Sequence, residues 1–351
     1  MSSQDKPLVT FAVFAYNQEQ FIREAIEGAF SQTYEPLEII LSDDCSSDRT
    51  FEIMQEMAAN YRGKHQVRAR RNPHNTGTLD HLLIVAKEAK GQLLVVAAGD
   101  DVSLPHRTET LVNHWIKNLC HALCSGYNEI DDEGNLIAEN KRIQYIEHIQ
   151  SYYRNCLKPK RFENQKVRTI RGASAAYDIR IIQKLPLSNQ NILYEDLFMS
   201  HIINLEGGSI EWIQIPLINY RASSLSICNF RGTKEINYKY KFVSYRELIY
   251  MEKKIMFSNQ ALLKIYDYLF DFINYYGYPD SSQFIENVKA DPHFRLMSFQ
   301  VRYGTLNFFQ RIGQLFKISR FIEFKFSIAR LFGIYPLCFL KSLASLIHKF
   351  S

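Results

Sequence analysis

Several familiar organising devices are missing from this sequence. Its six cysteines, at positions 45, 120, 124, 156, 228 and 338, form no Cys-x-x-Cys pair and no paired framework. That excludes a disulfide scaffold and suits a reducing compartment. Cys120 and Cys124, one helical turn apart, read as two packed thiols. None of the ten histidines stands in a His-x-x-x-His pair, so histidine-based metal chemistry lacks its usual spacing; His81 and His106 read as structural. No run approaches the ~18 uninterrupted apolar residues of a spanning helix. The opening "MSSQDKPLVTFAVFAYN" places Asp5 and Lys6 before only a short apolar run, unlike a secretory signal. The reading therefore expects a chain that is soluble or lies on a membrane without crossing it. The stretch "FAYNQEQF" holds no glycine, whereas a dinucleotide dehydrogenase needs several at its first strand–helix turn. Internal repeats and low-complexity linkers are absent too.

Net charge is scarce except at one end. The formal charge over 351 residues is +5, but residues 301–351 hold eight Lys/Arg against the single acid Glu323. The tail therefore carries +7 and everything before it −2. Such asymmetry concerns a surface partner, not the fold.

What is present begins with alternating periods. "VTFAVFAYN" (9–17), continuous and mostly apolar, reads as a buried strand, and "LEIILSDD" (37–44) as a second. Between them Ile22, Ala25, Ile26, Ala29 and Phe30 give a helix one apolar face. Ser46 or Ser47 is a candidate N-cap for a helix after the second strand, with Asp48 in its first turn. "QVRARRN" (66–72) reads as an outer strand, Leu79, Leu82, Leu83 and Ala86 as a third helical face, and "QLLVVAA" as a further strand. This alternation predicts an α/β fold, a mostly parallel sheet with helices on both faces.

From about 120 the pattern is mixed. It contains a strand, an acidic turn (Asp131, Asp132, Glu133, Gly134) and a return strand. A short strand in "VRTIR" then passes through small residues into a helix, and another helix is preceded by the acidic pair Glu195 and Asp196. "SIEWIQIPLINYRAS" reads as two short strands broken by Pro216. From 233 onward the texture is helical and aromatic. Domains are expected at 1–230 and 231–351.

Right-handed crossovers put the C-terminal ends of parallel strands on one edge, where ligands of open α/β sheets bind. Asn17, Asp43, Asp44, Asp100 and Asp101 all fall at such ends. In "QLLVVAAGDDVSLP", two like charges follow directly on a buried strand, an arrangement that makes sense if a divalent cation offsets their repulsion. Mg²⁺ or Mn²⁺ prefers oxygen ligands, often one or two carboxylates with phosphate and water.

On these residues the chain resembles the family 2 glycosyltransferases with the GT-A fold. The resemblance covers about 7–225 and rests on "VFAYNQEQFIREAIEGAFSQTY", "LEIILSDDCSSDRT", "NTG" at 75–77, "AAGDD" and "YEDL" at 194–197. It implies an inverting enzyme that moves a sugar from a nucleotide-diphosphate donor to an acceptor hydroxyl on a lipid-linked or surface-polysaccharide precursor. It implies that Tyr16, Asn17 and Asp44 meet the nucleotide base, that Asp43 supports their turn, and that Asp100 lies near ribose and metal. Asp101 would ligate the divalent metal, Mn²⁺ or Mg²⁺. Asp196 would be the general base with Glu195 as positioning partner, Gly172, Ala173 and Ser174 would line the acceptor side, and Arg221 would contact the diphosphate. Departures are Cys45 and Arg49 where glycine is frequent, Ala98 at the first acid of Asp-x-Asp, and no histidine after Tyr220-Arg221. The rival reading is a non-catalytic binding or scaffolding subunit of a membrane glycan-assembly complex.

The tail, "FFQRIGQLFKISRFIEFKFSIARLFGIYPLCFLKSLASLIHKF", mixes Phe, Leu and Ile with spaced Lys and Arg. That pattern suits interfacial helices on an anionic bilayer. The expected location is cytoplasmic, peripheral at the inner face of the plasma membrane; no nucleic-acid partner is expected.

Overall fold

The computed structural model describes residues 6–142, 168–188, 192 and 194–222, with isolated residues between 263 and 289. The chain divides into two compact units, Met1–Tyr240 and Lys241–Ser351. The expectations for the basic tail and most of the C-terminal region lie outside the described residues.

The predicted α/β class is borne out. β1 (Val9–Ala15), β2 (Leu37–Asp43), β3 (Gln66–Arg71) and β4 (Leu93–Ala98) alternate with α1 (Ile22–Phe30), α2 (Thr50–Asn60) and α3 (Gly77–Glu88). β5 (Val102–Ser103) and α4 (Arg107–Asn118) follow, then β6 (Ala122–Ile130) and β7 (Leu136–Lys141). β8 (Ala175–Asp178), α5 (Ile179–Gln183), α6 (Glu195–Leu205) and β9 (Ile210–Arg221) complete the described elements.

The sheet runs β3-β2-β1-β4-β8-β6-β9-β5, with β7 on β6. β1 pairs parallel with β2 and β4, and β3 parallel with β2, so β3 is the outer strand its alternation suggested. β8 runs antiparallel between β4 and β6, and β9 parallel to β6. The carboxyl ends of β1, β2, β3, β4, β6 and β9 therefore share one edge.

Alternation in the central strands explains the two helical layers. Val9, Phe11, Val13, Ile39, Leu41, Leu93, Val95 and Ala97 face a core closed by Ile22, Ala25, Ile26 and Ala29 of α1, with Ile53, Met54, Leu111 and Val112 from α2 and α4. Each such isoleucine, wholly removed from water, contributes about 1.5–3 kcal/mol. The opposite sheet face is covered by α3, which packs on α5 and α6. Among the described residues no helix is long and apolar enough to cross a membrane.

Four local readings need correction. β9 is one strand, not two: its register against β6 jumps from Ser125↔Ile213 to Gly126↔Pro216. Proline cannot donate to a ladder, and the bulge absorbs this by leaving Gln214 and Ile215 exposed. A Cβ on Gly126 would lie 2.8 Å from the Lys141 carbonyl oxygen and 3.1 Å from that of Ile215, so the facing strand needs glycine. The strand expected in "VRTIR" lies after the small residues instead, as β8. α2 begins at Thr50 with neither Ser46 nor Ser47 as cap; the Asp48 carboxylate accepts from the Thr50 N–H at 2.9 Å. Finally, Cys120 and Cys124 are free and buried but share no helix, since Cys124 lies in β6.

Candidate active site

The loops that follow β1 and β2 are laced together. Asn17 adopts φ 53° and Cys45 φ 66°, left-handed conformations that suit Asn and cost other non-glycine residues roughly 1–2 kcal/mol. The strain at Cys45 accounts for glycine being the easier residue there. The Asn17 N–H donates to Ser46 Oγ at 2.9 Å, and its Oδ1 accepts from the Ser47 N–H at 2.8 Å. Gln18 and Glu19 donate their N–H groups to Thr50 Oγ1 and Asp48 Oδ2. Asp43, fully buried, accepts from the Ser46 N–H at 3.0 Å and hydroxyl, and pairs with Arg71 Nε at 3.1 Å. It holds the turn from inside, while Tyr16 (47% exposed) and Asn17 form an open rim.

Asp44, next to it, is buried and points at the start of α3. Its carboxylate accepts from Asn72 Nδ2 at 2.7 Å, from the Thr76 N–H at 3.0 Å and from the Gly77 N–H at 3.1 Å. The two backbone N–H groups are orphan donors of a helix N-terminus, where the dipole favours an anion. In this structure the carboxylate expected at the base is occupied in shaping the "NTG" loop.

Beyond β4 the chain turns at Gly99, where a Cβ would lie 2.5 Å from Gln18 Oε1 and 2.7 Å from Ala15 Cβ. Only glycine lets the aspartate pair follow so closely. Burial holds Asp100 above the ordinary carboxylate range, offset partly by hydrogen bonding to Gln18 and by the charge of Arg221. Asp101 is raised well above it, by burial first and then by Asp100. Its Oδ1 accepts from the Arg221 N–H at 2.8 Å, but its buried Oδ2 has no hydrogen-bond partner.

Two buried arginines frame this pair. Arg107 donates to Ser103 Oγ at 2.8 Å and to the carbonyls of Val96 (2.6 Å), Ala173 and Ala175 (both 3.4 Å). Burial lowers its own pKa to about 9, and Asp101 opposes that shift. Arg221 is 0% exposed, and its guanidinium is committed to the carbonyls of Asp100, Asp131 and Asp132 and to Glu24 Oε2, at 2.7–2.9 Å. The expected diphosphate contact is therefore corrected: Arg221 has no surface left to offer a ligand and acts as a tie beneath the aspartates.

The third acidic group stands at the N-terminus of α6, inside the helix and not before it. Asp196 accepts from the Gly172 N–H at 3.1 Å and from the Leu197 N–H at 2.7 Å. Burial raises Asp196, against those donors and the charge of Arg171; burial and then Asp196 push Glu195 up to about 8. Thr78, in the first turn of α3, donates its hydroxyl to the Ile192 carbonyl at 2.9 Å and lies close enough to Glu195 to oppose that rise. A Cβ at Gly172 would come 2.5 Å from Glu195 Oε1, so a larger residue there would displace that carboxylate. Ala173 is half-buried, while Ser174 turns inward and its Oγ accepts from the Ser125 N–H at 3.2 Å.

One connected network therefore joins the acids. Asp44 caps α3, Thr78 of α3 lies against Glu195, Asp196 holds Gly172, and Arg107 ties the Ala173 carbonyl to that of Val96 in β4, the strand that leads into Asp100 and Asp101. Among the described residues no group of three or more His, Cys, Asp or Glu could enclose a metal. The unpartnered Oδ2 of Asp101 beside Asp100 fits a cation whose other ligands come from the bound substrate and water.

Sequence reasoning missed Arg107, Arg171, Thr78 and Gln18. Arg107 alone left a signal: a basic residue opening a helix opposes the dipole and needs another purpose.

The glycosyl transferase family 2 model matches residues 10–185. The chain is 33% identical over 124 residues to a Haemophilus influenzae protein named an uncharacterized glycosyltransferase, covering 35% of this chain and 38% of that one. It is 35% identical over 107 residues to EpsE of Bacillus subtilis, covering 30% and 37%. The matched stretches thus span less than half the length of these relatives. Similar solved structures include Staphylococcus aureus TarS 1-349 in complex with UDP-GlcNAc (14% identity, TM-score 0.46, 84% of this chain and 92% of that one). Another is GalNAc-T7 with UDP, GalNAc and Mn²⁺ (16%, 0.49, 72% and 51%).

Proposed function

The chain belongs to glycosyl transferase family 2, and on that premise we propose that it is an inverting transferase using a nucleoside-diphosphate sugar. The observation that carries the proposal is the network linking the aspartate pair at the end of β4 to the acidic pair at the start of α6.

In a single displacement the acceptor oxygen bonds to the anomeric carbon as the bond from that carbon to the diphosphate oxygen breaks. The electron pair leaves with the nucleoside diphosphate, and the acceptor's proton passes to a carboxylate on the opposite face. Asp196 takes that proton; two backbone N–H donors orient its carboxylate while Glu195 presses beside it. Gly172 and Ala173 leave room for the acceptor on this side. Tyr16 and Asn17 supply the rim against which the base stacks and bonds, above the turn that Asp43 and Asp44 hold. Asp100 and Asp101 would hold a divalent cation, Mn²⁺ or Mg²⁺, whose charge would offset that of the leaving diphosphate. The acceptor is a lipid-linked or surface-polysaccharide precursor, a reading motivated by the basic, aromatic tail.

A donor screen tests this. Release of nucleoside diphosphate is to be followed across UDP-, GDP- and dTDP-sugars, with and without divalent metal. One class of donor should support release, and chelation should slow it by about a hundredfold or more. Binding of a donor without release under any condition would favour a scaffolding subunit instead.

A further inference from the structure

Among the described residues of this site, Arg171 is a cation left unspent. Arg107 and Arg221 are wholly buried and bonded to carbonyls and side chains of their own chain, but Arg171 is only half-buried. Among the described residues its guanidinium makes no hydrogen bond and no salt bridge; its carbonyl accepts from the Ser174 N–H. Two rings hold it in place instead. The guanidinium carbon lies 4.2 Å from the Tyr127 centroid and 5.3 Å from that of Tyr220, and the rings meet edge to face at 5.5 Å.

Its neighbours define its position. The next residue, Gly172, donates its N–H to Asp196 Oδ2 at 3.1 Å. Tyr220 directly precedes Arg221, whose N–H binds Asp101 Oδ1 at 2.8 Å. The guanidinium is thus fixed between the two acidic motifs, and its charge is felt by both Asp101 and Asp196. A planar fork of free N–H donors, stacked on aromatic faces and paired with neither carboxylate, matches the oxygens of a phosphate chain.

We infer that Arg171 binds the donor's diphosphate in the gap between Asp101 and Asp196, and stabilises it as it leaves. The inference rests on the proposed function and names one more residue for it. As the bond to the anomeric carbon breaks, the departing oxygen keeps the electron pair, and the guanidinium meets the charge that develops there.

Calorimetric titrations of UDP, GDP and dTDP, each against its bare nucleoside, test the assignment in wild type, Arg171→Gln and Arg171→Lys. For the diphosphate that wild type binds, Arg171→Gln should weaken affinity by about tenfold or more and leave the nucleoside unchanged. Arg171→Lys, which keeps the charge without the fork, should fall between them, and guards against a glutamine variant that fails to fold. Equal diphosphate affinity in all three proteins would overturn the inference, as would an equal loss for diphosphate and nucleoside, which marks a structural role. A wild type that binds none of the three diphosphates would overturn the proposed function as well.

Discussion

Asp196→Asn should lower sugar transfer by about 10²–10⁴-fold while leaving donor affinity nearly unchanged. Asparagine keeps the size of the side chain and an oxygen for one of the two donors, Gly172 or Leu197, which bind different carboxylate oxygens, so the start of α6 should hold its shape at the cost of one hydrogen bond. Only the capacity to take a proton is removed. The same group sets a pH dependence. Burial raises Asp196, and Glu195 stands at about 8, so the pair keeps a proton at pH values where ordinary carboxyls have lost theirs. Because the base must be ionised, turnover should fall as pH drops through this raised range, and the acid limb should lie above the usual carboxylate values. Turnover against pH, with donor binding measured separately, checks both parts. Unchanged transfer in the asparagine variant would remove Asp196 from its role.

Arg221→Met should cost about 3–5 kcal/mol of stability, the scale of a broken buried charge network. Most of the loss comes from carbonyls. Those of Asp100, Asp131 and Asp132 each lose a charged donor, and methionine fills the volume without replacing it. The ion pair to Glu24 matters less, since that carboxylate is 48% exposed and can turn to water. The acidic turn after β6 should loosen from β4, so donor binding should weaken along with stability. Urea unfolding of the two proteins decides it; a difference under about 1 kcal/mol would show that the guanidinium is not the tie described here.

Much of this was legible in the chain, because the features concerned are local. Phe11 to Tyr16 and Ile39 to Leu41 are continuous apolar runs, and the 3.6-residue spacing of Ile22, Ala25, Ile26 and Ala29 has one simple solution. Like charges at Asp100 and Asp101, directly beyond a buried strand, pointed to the edge where the acids now lie. The misreadings arose where a distant partner decides the outcome. Pro216 looks like a break until Gly126, on another strand, accommodates the bulge. Arg221 looks like a ligand-facing cation until the carbonyls of Asp131 and Asp132 fold over it. Arg171 carries no local signal, since its place depends on Tyr127 and Tyr220 meeting across β6 and β9.

The binding place of a metal and a nucleoside diphosphate gives the most direct test. Crystals grown with Mn²⁺ and the diphosphate selected by the donor screen would locate the metal by its anomalous scattering. The expected result is a single manganese within ligand distance of the Asp100 and Asp101 carboxylates, with the phosphates reaching toward Arg171 and the base on the Tyr16–Asn17 rim. A diphosphate bound on another face, with no manganese at the aspartate pair, would contradict the account.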